Sequence, residues 1–165
     1  MDTVYIETSI VSHATARPSS DPATATMQDQ ARRWMAEQRP KYAVVTSQLV
    51  LAEAARGDPD AAARRLAMLA DIPILGENAD VGRVADELIA RSLIPAAARV
   101  DALHLAIAAL AGVEYLLTLN CRHIANANVL PRVYRLLGDL GLSGLLVCMP
   151  MEFLGGSSDA QEPDP

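Results

Sequence analysis

The sequence contains little of what usually marks a secreted, membrane-bound or zinc-stabilised protein. Two of its 165 residues are cysteines, Cys121 and Cys148, and they form no CxxC pair. We therefore expect neither a disulfide framework nor a cysteine zinc site. No apolar run reaches the length of a bilayer span, and no basic segment with a following apolar run precedes the first predicted strand. These absences predict a cytoplasmic protein in a reducing compartment, with no signal peptide and no membrane span.

Positive charge is also scarce, because the formal net charge is −6 and Lys41 is the single lysine. Neutralisation of phosphates supplies most non-specific affinity for nucleic acid, so this balance argues against a wide basic surface that grips a duplex. Three acids lie near the C-terminus, and three more belong to the candidate metal site described below. The remainder of the chain is close to neutral, and a small nucleic-acid footprint is still compatible with it.

Several motifs of common enzyme classes are missing. The chain has no GxxxxGK[ST] phosphate loop, no GxGxxG dinucleotide fingerprint and no GxSxG nucleophile turn. Its first predicted strand lacks the Asp-x-Asp pair of haloacid-dehalogenase-type phosphatases, and no cluster of histidines is available for zinc. These absences argue against nucleotide-binding enzymes, α/β-hydrolases and zinc enzymes.

Strand-like and helix-like segments alternate along the chain, which is the pattern of an α/β fold. Solidly apolar strands predict a mostly parallel sheet flanked by helices on both faces, a three-layer sandwich formed by one domain over residues 1–155. Residues 156–165 are predicted to be a disordered acidic tail. The predicted strands cover residues 3–6, 42–45, 73–75, 115–119 and 145–148.

Local signals also predict where several helices begin and which way they face. Ser47 and Asp58 are predicted N-caps, because Ser and Asp side chains accept hydrogen bonds from the free N–H groups of a helix start. A last long helix is predicted over residues 126–140, and another over residues 97–111. The side chains predicted to face inward from the helix at 97–111 are Val100, Leu103, His104, Ile107 and Ala111.

Four polar residues interrupt segments that otherwise have the composition of buried core. Glu7 directly follows an apolar strand, Glu53 lies within an apolar helix, Asp101 opens another such helix, and Asn120 ends a further strand. Carboxylates almost never lie fully buried unless they are paired or bound to metal. Mg²⁺ and Mn²⁺ prefer carboxylate, amide and water oxygens. The four residues therefore predict one acidic pocket that holds a divalent cation.

Three of these four residues, and each nearby histidine, also have a purely structural interpretation. The metal site accordingly rests on the set as a whole, in which a bound cation would relieve the repulsion between carboxylates. The structural alternatives are a helix cap for Glu7, an ion pair with Arg56 or another arginine for Glu53, a turn for Asn120, a core ring bonded to a backbone carbonyl for His104, and a loop position for His123.

The motifs around the four residues resemble those of the PIN-domain family, in particular the VapC-like ribonuclease toxins of type II toxin–antitoxin pairs. The resemblance covers residues 4–153. It rests on YIETS at 5–9, the helical Glu53, VDALHLA at 100–106 and LLTLNCRHIAN at 116–126. It implies a PIN-like α/β sandwich with an acidic pocket for Mg²⁺ or Mn²⁺. The implied activity is metal-dependent endonucleolytic cleavage of RNA that leaves 5′-phosphate and 3′-hydroxyl ends.

The resemblance also implies a role for each residue of the set. Glu7, Glu53, Asp101 and Asn120 match the first to fourth acidic positions of the family. This match implies catalysis by the three carboxylates, metal binding by all four residues, and a supporting or phosphate-contacting role for Ser9. Two positions depart from the family. The first acid is usually Asp, and Glu7 is longer by one methylene. The fourth is commonly Asp, so the uncharged Asn120 is expected to bind a second ion more weakly.

The expected function is therefore that of a Mg²⁺- or Mn²⁺-dependent endoribonuclease with RNA as substrate. A cognate antitoxin is the expected protein partner, and the sequence leaves a homodimer open. Arg17, Arg99 and Arg122 flank the pocket segments and are candidates for phosphate contact, with solvated surface positions as the alternative. The competing interpretations are a catalytically weak PIN-like scaffold that binds protein or RNA, and a nuclease that acts on DNA.

Overall fold

A four-stranded parallel sheet organises residues 1–155, the part of the chain that the computed structural model describes. The strands are β1 (Thr3–Ile6), β2 (Ala43–Val45), β3 (Tyr115–Leu117) and β4 (Leu146–Cys148). They lie in the order β2-β1-β3-β4, and every neighbouring pair is parallel. The predicted α/β class with a parallel sheet is confirmed. The predicted tail at residues 156–165 lies outside the described residues.

Eight α-helices within residues 1–155 surround the sheet. They are α1 (Thr8–Thr15), α2 (Pro22–Arg33), α3 (Gln48–Ala54), α4 (Pro59–Leu69), α5 (Val81–Ala90), α6 (Arg99–Ala111), α7 (Leu130–Asp139) and α8 (Pro150–Leu154). The chain moves from β1 out to β2 in one direction and from β3 out to β4 in the other. Right-handed crossovers therefore place helices on both faces, as the predicted three-layer sandwich requires. None of these eight helices is long and apolar enough to cross a membrane.

Two helix starts follow directly from the local sequence. Ser47 caps α3, because its side chain accepts a hydrogen bond from the Val50 N–H at 3.3 Å. Asp58 caps α4 in the same way, accepting from the Ala61 N–H at 2.9 Å. Both predicted caps are confirmed. Ser47 thus sets the start of the helix that follows β2.

The two interior strands are the most deeply buried part of the core. Val4, Tyr5 and Ile6 of β1 and Leu116 and Leu117 of β3 have no exposed surface. Strands that are covered on both faces need apolar side chains on both sides, which explains their continuous apolar runs. Tyr5 is the exception, because it carries a hydroxyl group into the core, where that group needs a hydrogen-bond partner.

Helix α6 buries a different face from the one that its sequence pattern predicts. Among the predicted inward residues only His104 is fully buried, whereas Val100 is 37% exposed and Ala111 lies at the surface. The helix is apolar around most of its circumference, so periodicity alone selects no face. The buried positions of α6 are mostly small side chains, and the helix packs against α5. The buried positions are Ala102, His104, Leu105, Ala106, Ala108 and Ala109.

Three loop-proximal elements also differ from the sequence prediction. The predicted strand at residues 73–75 forms only an isolated bridge, and the short helix α8 was not predicted. The helix expected from residue 126 begins at Leu130. Asn126 explains this delay, because its side chain accepts a hydrogen bond from the Asn128 N–H at 3.0 Å. Such a side-chain turn competes with the hydrogen bonds of a helix.

Four of the six aromatic side chains meet near the amino ends of β2 and β3. The Phe153 ring of α8 lies edge-on to Trp34, Tyr42 and Tyr115, with centroid distances of 6.0, 5.4 and 5.4 Å. Trp34 continues α2 as part of a π-helical turn and also stacks on Tyr42 at 6.2 Å. Each aromatic pair contributes about 0.5–1.5 kcal/mol beyond its buried area. The cluster therefore fastens α8 to the rest of the domain.

Phe153→Ala should destabilise the protein by about 2–3 kcal/mol. The substitution removes three edge-to-face contacts, but Phe153 is partly exposed, so the loss falls below the ~3–5 kcal/mol of a fully buried phenylalanine. Urea unfolding followed by circular dichroism measures it. Met151→Ala on the same helix is the matched control, because Met151 is 62% exposed and should change stability by less than ~0.5 kcal/mol. Equal stability of the two variants would contradict docking through the cluster.

Candidate active site

The four predicted site residues lie at the carboxyl end of the sheet. Glu7 directly follows β1, and Asn120 lies three residues after the end of β3. Glu53 is on α3, the helix that follows β2, and Asp101 is in the first turn of α6. Parallel strands direct their carboxyl ends to one edge, where residues from distant parts of the chain can meet. Hydrogen bonds, in part through intervening side chains, connect the four predicted site residues to one another or to the elements that carry them.

Glu7 is a nearly buried carboxylate that two segments hold. It caps α1 by accepting hydrogen bonds from the Ser9 N–H, at 3.1 Å, and from the Ser9 hydroxyl. Thr118, just after β3, donates its hydroxyl to Oε1 of Glu7 at 2.8 Å. The residue is 4% exposed, and an unpaired charge at that depth would be costly. The capping interpretation of Glu7 is correct, and the same carboxylate also joins β1 to β3.

The loop after β3 is fastened to this carboxylate. The Ser9 hydroxyl accepts a hydrogen bond from the Leu119 N–H at 2.8 Å, and the Thr118 hydroxyl accepts one from the Asn120 N–H at 2.9 Å. Each hydroxyl therefore donates to Glu7 and accepts from the loop backbone. The position of Asn120 is consequently set by contacts that begin at Glu7.

Asp101 pairs with a histidine from the same loop. Nδ1 of His123 lies 2.8 Å from Oδ2 of Asp101, and the two side chains are 24% and 22% exposed. The Asn120 side chain accepts a hydrogen bond from the His123 N–H at 3.1 Å. Asn120 thus acts as a turn residue, and its amide oxygen also positions the histidine that contacts Asp101.

Glu53 receives two hydrogen bonds on one oxygen. The Thr8 hydroxyl lies 2.7 Å and His104 Nε2 lies 2.6 Å from Oε1 of Glu53. Partial burial opposes ionisation, but these hydrogen bonds from His104 and Thr8 and the charge of Arg56 outweigh it and lower the pKa of the Glu53 carboxyl. Arg56 contributes through its charge, whereas the direct partners of Glu53 are Thr8 and His104.

His104 continues this contact into the core. Its ring is 1% exposed, Nδ1 lies 2.8 Å from the Tyr5 hydroxyl, and that hydroxyl lies 2.8 Å from Oγ of Ser47. Burial raises the pKa of the Tyr5 phenol, the Ser47 hydrogen bond opposes this, and the charges of Glu7 and Glu53 add to it. The phenol is therefore protonated. The predicted core position of His104 is confirmed, but its predicted backbone-carbonyl partner is wrong.

The donor chemistry of the site suits a hard divalent cation, since carboxylate and amide oxygens are its usual ligands. Within residues 1–155, however, no three His, Cys, Asp or Glu side chains are grouped closely enough to share one ion. Hydroxyl, imidazole and backbone donors occupy oxygens of all three carboxylates. The oxygen ligands present are of the type that such an ion prefers. Their arrangement around a single ion stays a prediction.

The three arginines predicted to contact phosphate have different surroundings. Arg99 is paired with Asp86 of α5. Arg17, after α1, and Arg122, in the loop after β3, are exposed. These last two are the better placed of the three for an incoming anion.

The groups that hold the acids were not predicted from the sequence: the hydroxyls of Thr8, Thr118 and Tyr5, and the ring of His104 as a partner of Glu53. The sequence did indicate that such partners must exist, because a polar side chain in an apolar segment needs a hydrogen-bond partner when it is buried. It did not indicate which residue the partner is. The Thr8–Glu53 contact spans 45 positions, and the Thr118–Glu7 contact spans 111.

Comparison with known proteins does not place the chain in a family. No family model, no curated protein and no solved structure matches it. The resemblance to PIN domains therefore rests on the motifs themselves and stays a prediction.

Asn120→Asp should strengthen Mn²⁺ binding and leave the fold intact. An aspartate oxygen can still accept the His123 N–H. The added charge contributes at least ~1 kcal/mol at about 4 Å even in bulk water, roughly a fivefold gain in affinity. Titration calorimetry with Mn²⁺ measures the change, and cleavage at limiting metal should be preserved or increased.

Asn128→Asp is the matched control for this prediction. Asn128 is exposed in the same loop, so the same charge is added there without disturbing the loop. Equal gains for the two variants would indicate a general charge effect. A well-folded Asn120→Asp protein that binds Mn²⁺ more weakly would contradict the assignment of Asn120.

Proposed function

We propose that this chain is a Mg²⁺- or Mn²⁺-dependent endoribonuclease of the PIN-like, VapC-like type that hydrolyses RNA phosphodiester bonds. The observation that carries the proposal is the linkage of separate polar residues at one edge of the sheet. Glu7, Asn120 and Asp101 are connected in series through Thr118 and His123. Glu53 is bonded to the residue after Glu7 and to the helix of Asp101. These are the positions at which the sequence resembles the acids of PIN domains.

The proposed ligand roles follow from the donor types. Glu7 and Asp101 would hold the principal ion, and Glu53 and Asn120 would complete the pocket directly or through water. When bound, a divalent cation supplies an acidified water and neutralises charge that builds on the phosphate. The hydroxyl and imidazole groups around the carboxylates orient them, so the protein itself determines which oxygens face the substrate.

The proposed substrate is RNA, and the proposed setting is the cytoplasm. A net charge of −6 limits the number of phosphate contacts, which favours a short single-stranded or looped segment over a long duplex. Arg17 and Arg122 are the proposed phosphate contacts, because both are exposed on segments that flank the site. The proposed protein partner is a cognate antitoxin.

One observation favours a second candidate, a PIN-like scaffold that binds protein or RNA with little catalysis. Within residues 1–155 no three potential ligands are grouped around one point, and hydrogen bonds already satisfy oxygens of the carboxylates. A purely structural role would use such contacts to tie loops together. A nuclease that acts on DNA is a further alternative, and the cleavage assay distinguishes it.

Asp101→Asn should lower RNA cleavage at least ~100-fold while the protein stays folded. An asparagine oxygen can still accept a hydrogen bond from His123, so the loop should keep its place. Replacing an outer partner of a metal ligand already costs about 10–100-fold, and loss of the ligand charge should cost no less. The assay uses mixed RNA and DNA oligonucleotides with Mn²⁺ or EDTA, alongside a circular-dichroism melt.

Asp71→Asn is the matched control, because Asp71 is also paired, with Arg39 at 2.7 Å, but lies away from the site residues. It should cleave at the wild-type rate. Wild-type cleavage by a folded Asp101→Asn protein would refute the nuclease proposal. Metal-dependent cleavage of DNA alone would support the DNA alternative.

Mn²⁺ should raise the melting temperature of the wild-type protein by about 5–10 °C at ~100 times its Kd. A ligand selective for the native state adds ~2.7 kcal/mol at that concentration, and each kcal/mol shifts a domain of this size by about 2–4 °C. Melts in EDTA and in Mn²⁺ measure the shift, which should be smaller in Asp101→Asn. Identical melts together with no cleavage would support the scaffold.

A further inference from the structure

A continuous line of hydrogen-bonded groups runs from the core to Glu53. It joins Oγ of Ser47, the Tyr5 hydroxyl, the His104 ring and Oε1 of Glu53, with successive separations of 2.8, 2.8 and 2.6 Å. Ser47, Tyr5 and His104 are 3%, 0% and 1% exposed, so solvent does not compete for these contacts. We call these four groups the buried relay.

The direction of each hydrogen bond follows from the two ends of the buried relay, Glu53 and Ser47. An ionised Glu53 can only accept, so His104 Nε2 carries a proton. If the ring is neutral, Nδ1 accepts from the Tyr5 hydroxyl, and the Tyr5 oxygen accepts from Ser47. Ser47 in turn accepts from the Val50 N–H. Every donor in this arrangement has an acceptor.

If both nitrogens of the His104 ring carried protons, the hydrogen-bonding groups of the buried relay would be satisfied less completely. Nδ1 of His104 would then donate to the Tyr5 oxygen, and the Tyr5 hydroxyl would donate to Ser47. Among the contacts of residues 1–155, the Ser47 hydroxyl would be left without an acceptor for its own proton. A buried donor with no acceptor is destabilising, so the arrangement that satisfies every group has Ser47 donating to Tyr5 and Tyr5 donating to Nδ1 of His104.

We propose that Tyr5 and His104 are positioning residues that orient Glu53: the Tyr5 hydroxyl holds the His104 ring through Nδ1, and the ring directs its Nε2–H at Oε1 of Glu53. The inferred role of Glu53 in cleavage rests on the proposed function, whereas its orientation by the relay does not. Within residues 1–155 the hydrogen bonds to Glu53, from His104 and from Thr8, both reach Oε1. Oε2 is thereby the oxygen that is available to a cation or substrate.

Packing alone does not require the relay. Replacing both partners of a buried hydrogen bond by apolar groups of the same shape is often close to neutral for stability. A phenylalanine would fill the space of Tyr5 without its hydroxyl. What the relay adds is a donor of fixed direction, delivered by His104 to a carboxylate that is 24% exposed. A functional site needs such a directed donor, whereas a hydrophobic core does not.

The test is Tyr5→Phe, examined first without metal. ¹⁵N NMR of the imidazoles identifies which ring nitrogen carries the proton, with His104 assigned by the loss of its signals in His104→Gln. In the wild type Nε2 should be protonated and Nδ1 should not. Tyr5→Phe should shift the Nδ1 signal of His104, which loses its hydrogen-bond partner, and the ¹³C signal of the Glu53 carboxyl, while Nε2 keeps its proton. If the proposed site binds Mn²⁺, its affinity should fall about tenfold or more, as for other outer partners of metal ligands.

Tyr134→Phe is the matched control, because the Tyr134 hydroxyl also has a hydrogen bond, accepted from the Val147 N–H at 2.8 Å. It should leave the His104 and Glu53 signals unchanged. A wild-type His104 protonated on Nδ1 would overturn the relay without any variant. So would unchanged His104 and Glu53 signals in a folded Tyr5→Phe protein. Expected signals in a wild-type protein that neither binds Mn²⁺ nor cuts RNA would uphold the relay and refute the proposed function.

Discussion

The burial of the Glu7 carboxylate between the start of α1 and the end of β3 is the constraint on which the site depends. A carboxylate that is 4% exposed must be surrounded by donors. Ser9 and Thr118 supply them, and both hydroxyls also accept hydrogen bonds from the loop after β3. Satisfying one buried charge therefore also orders the loop that carries Asn120 and His123. The carboxyl ends of β1 and β3 are joined through side chains beyond the point where strand pairing stops.

The other two acids repeat this arrangement, since each is paired with a donor from a different element. Asp101 of α6 is bonded to His123 of the loop, and Glu53 of α3 is bonded to His104 of α6. The carboxylates thus lock neighbouring elements together and keep defined orientations. This order is what a site needs in order to present oxygens to a ligand. A cation would therefore have to share each carboxylate with a hydrogen-bond donor that is already present. In a nuclease the carboxylates would bind the cation as well as these donors, whereas in a scaffold they would only tie the loops together.

Different kinds of contact stabilise the two ends of the sheet. Near the amino ends of β2 and β3, Phe153 joins Trp34, Tyr42 and Tyr115 in an aromatic cluster that contributes stability. At the carboxyl end, polar residues replace apolar ones, and stability there depends on satisfying hydrogen bonds. Substitutions at the aromatic end should change unfolding without changing the site, because the two sets of contacts share no residue. The buried Tyr5 hydroxyl, on the interior strand β1, belongs to the polar set.

The sequence by itself determined the alternation of buried strands and helices, the caps at Ser47 and Asp58, and the polar residues that interrupt apolar segments. These features depend on local periodicity and on the preferences of single side chains, which neighbours in sequence express. Only the tertiary structure decided which face α6 buries, because that helix is apolar nearly all round and its periodicity alone selects no face. It alone also decided that Thr118 meets Glu7 and that His104 meets Glu53, since hydrogen bonds between segments 111 and 51 residues apart leave no local trace in the sequence.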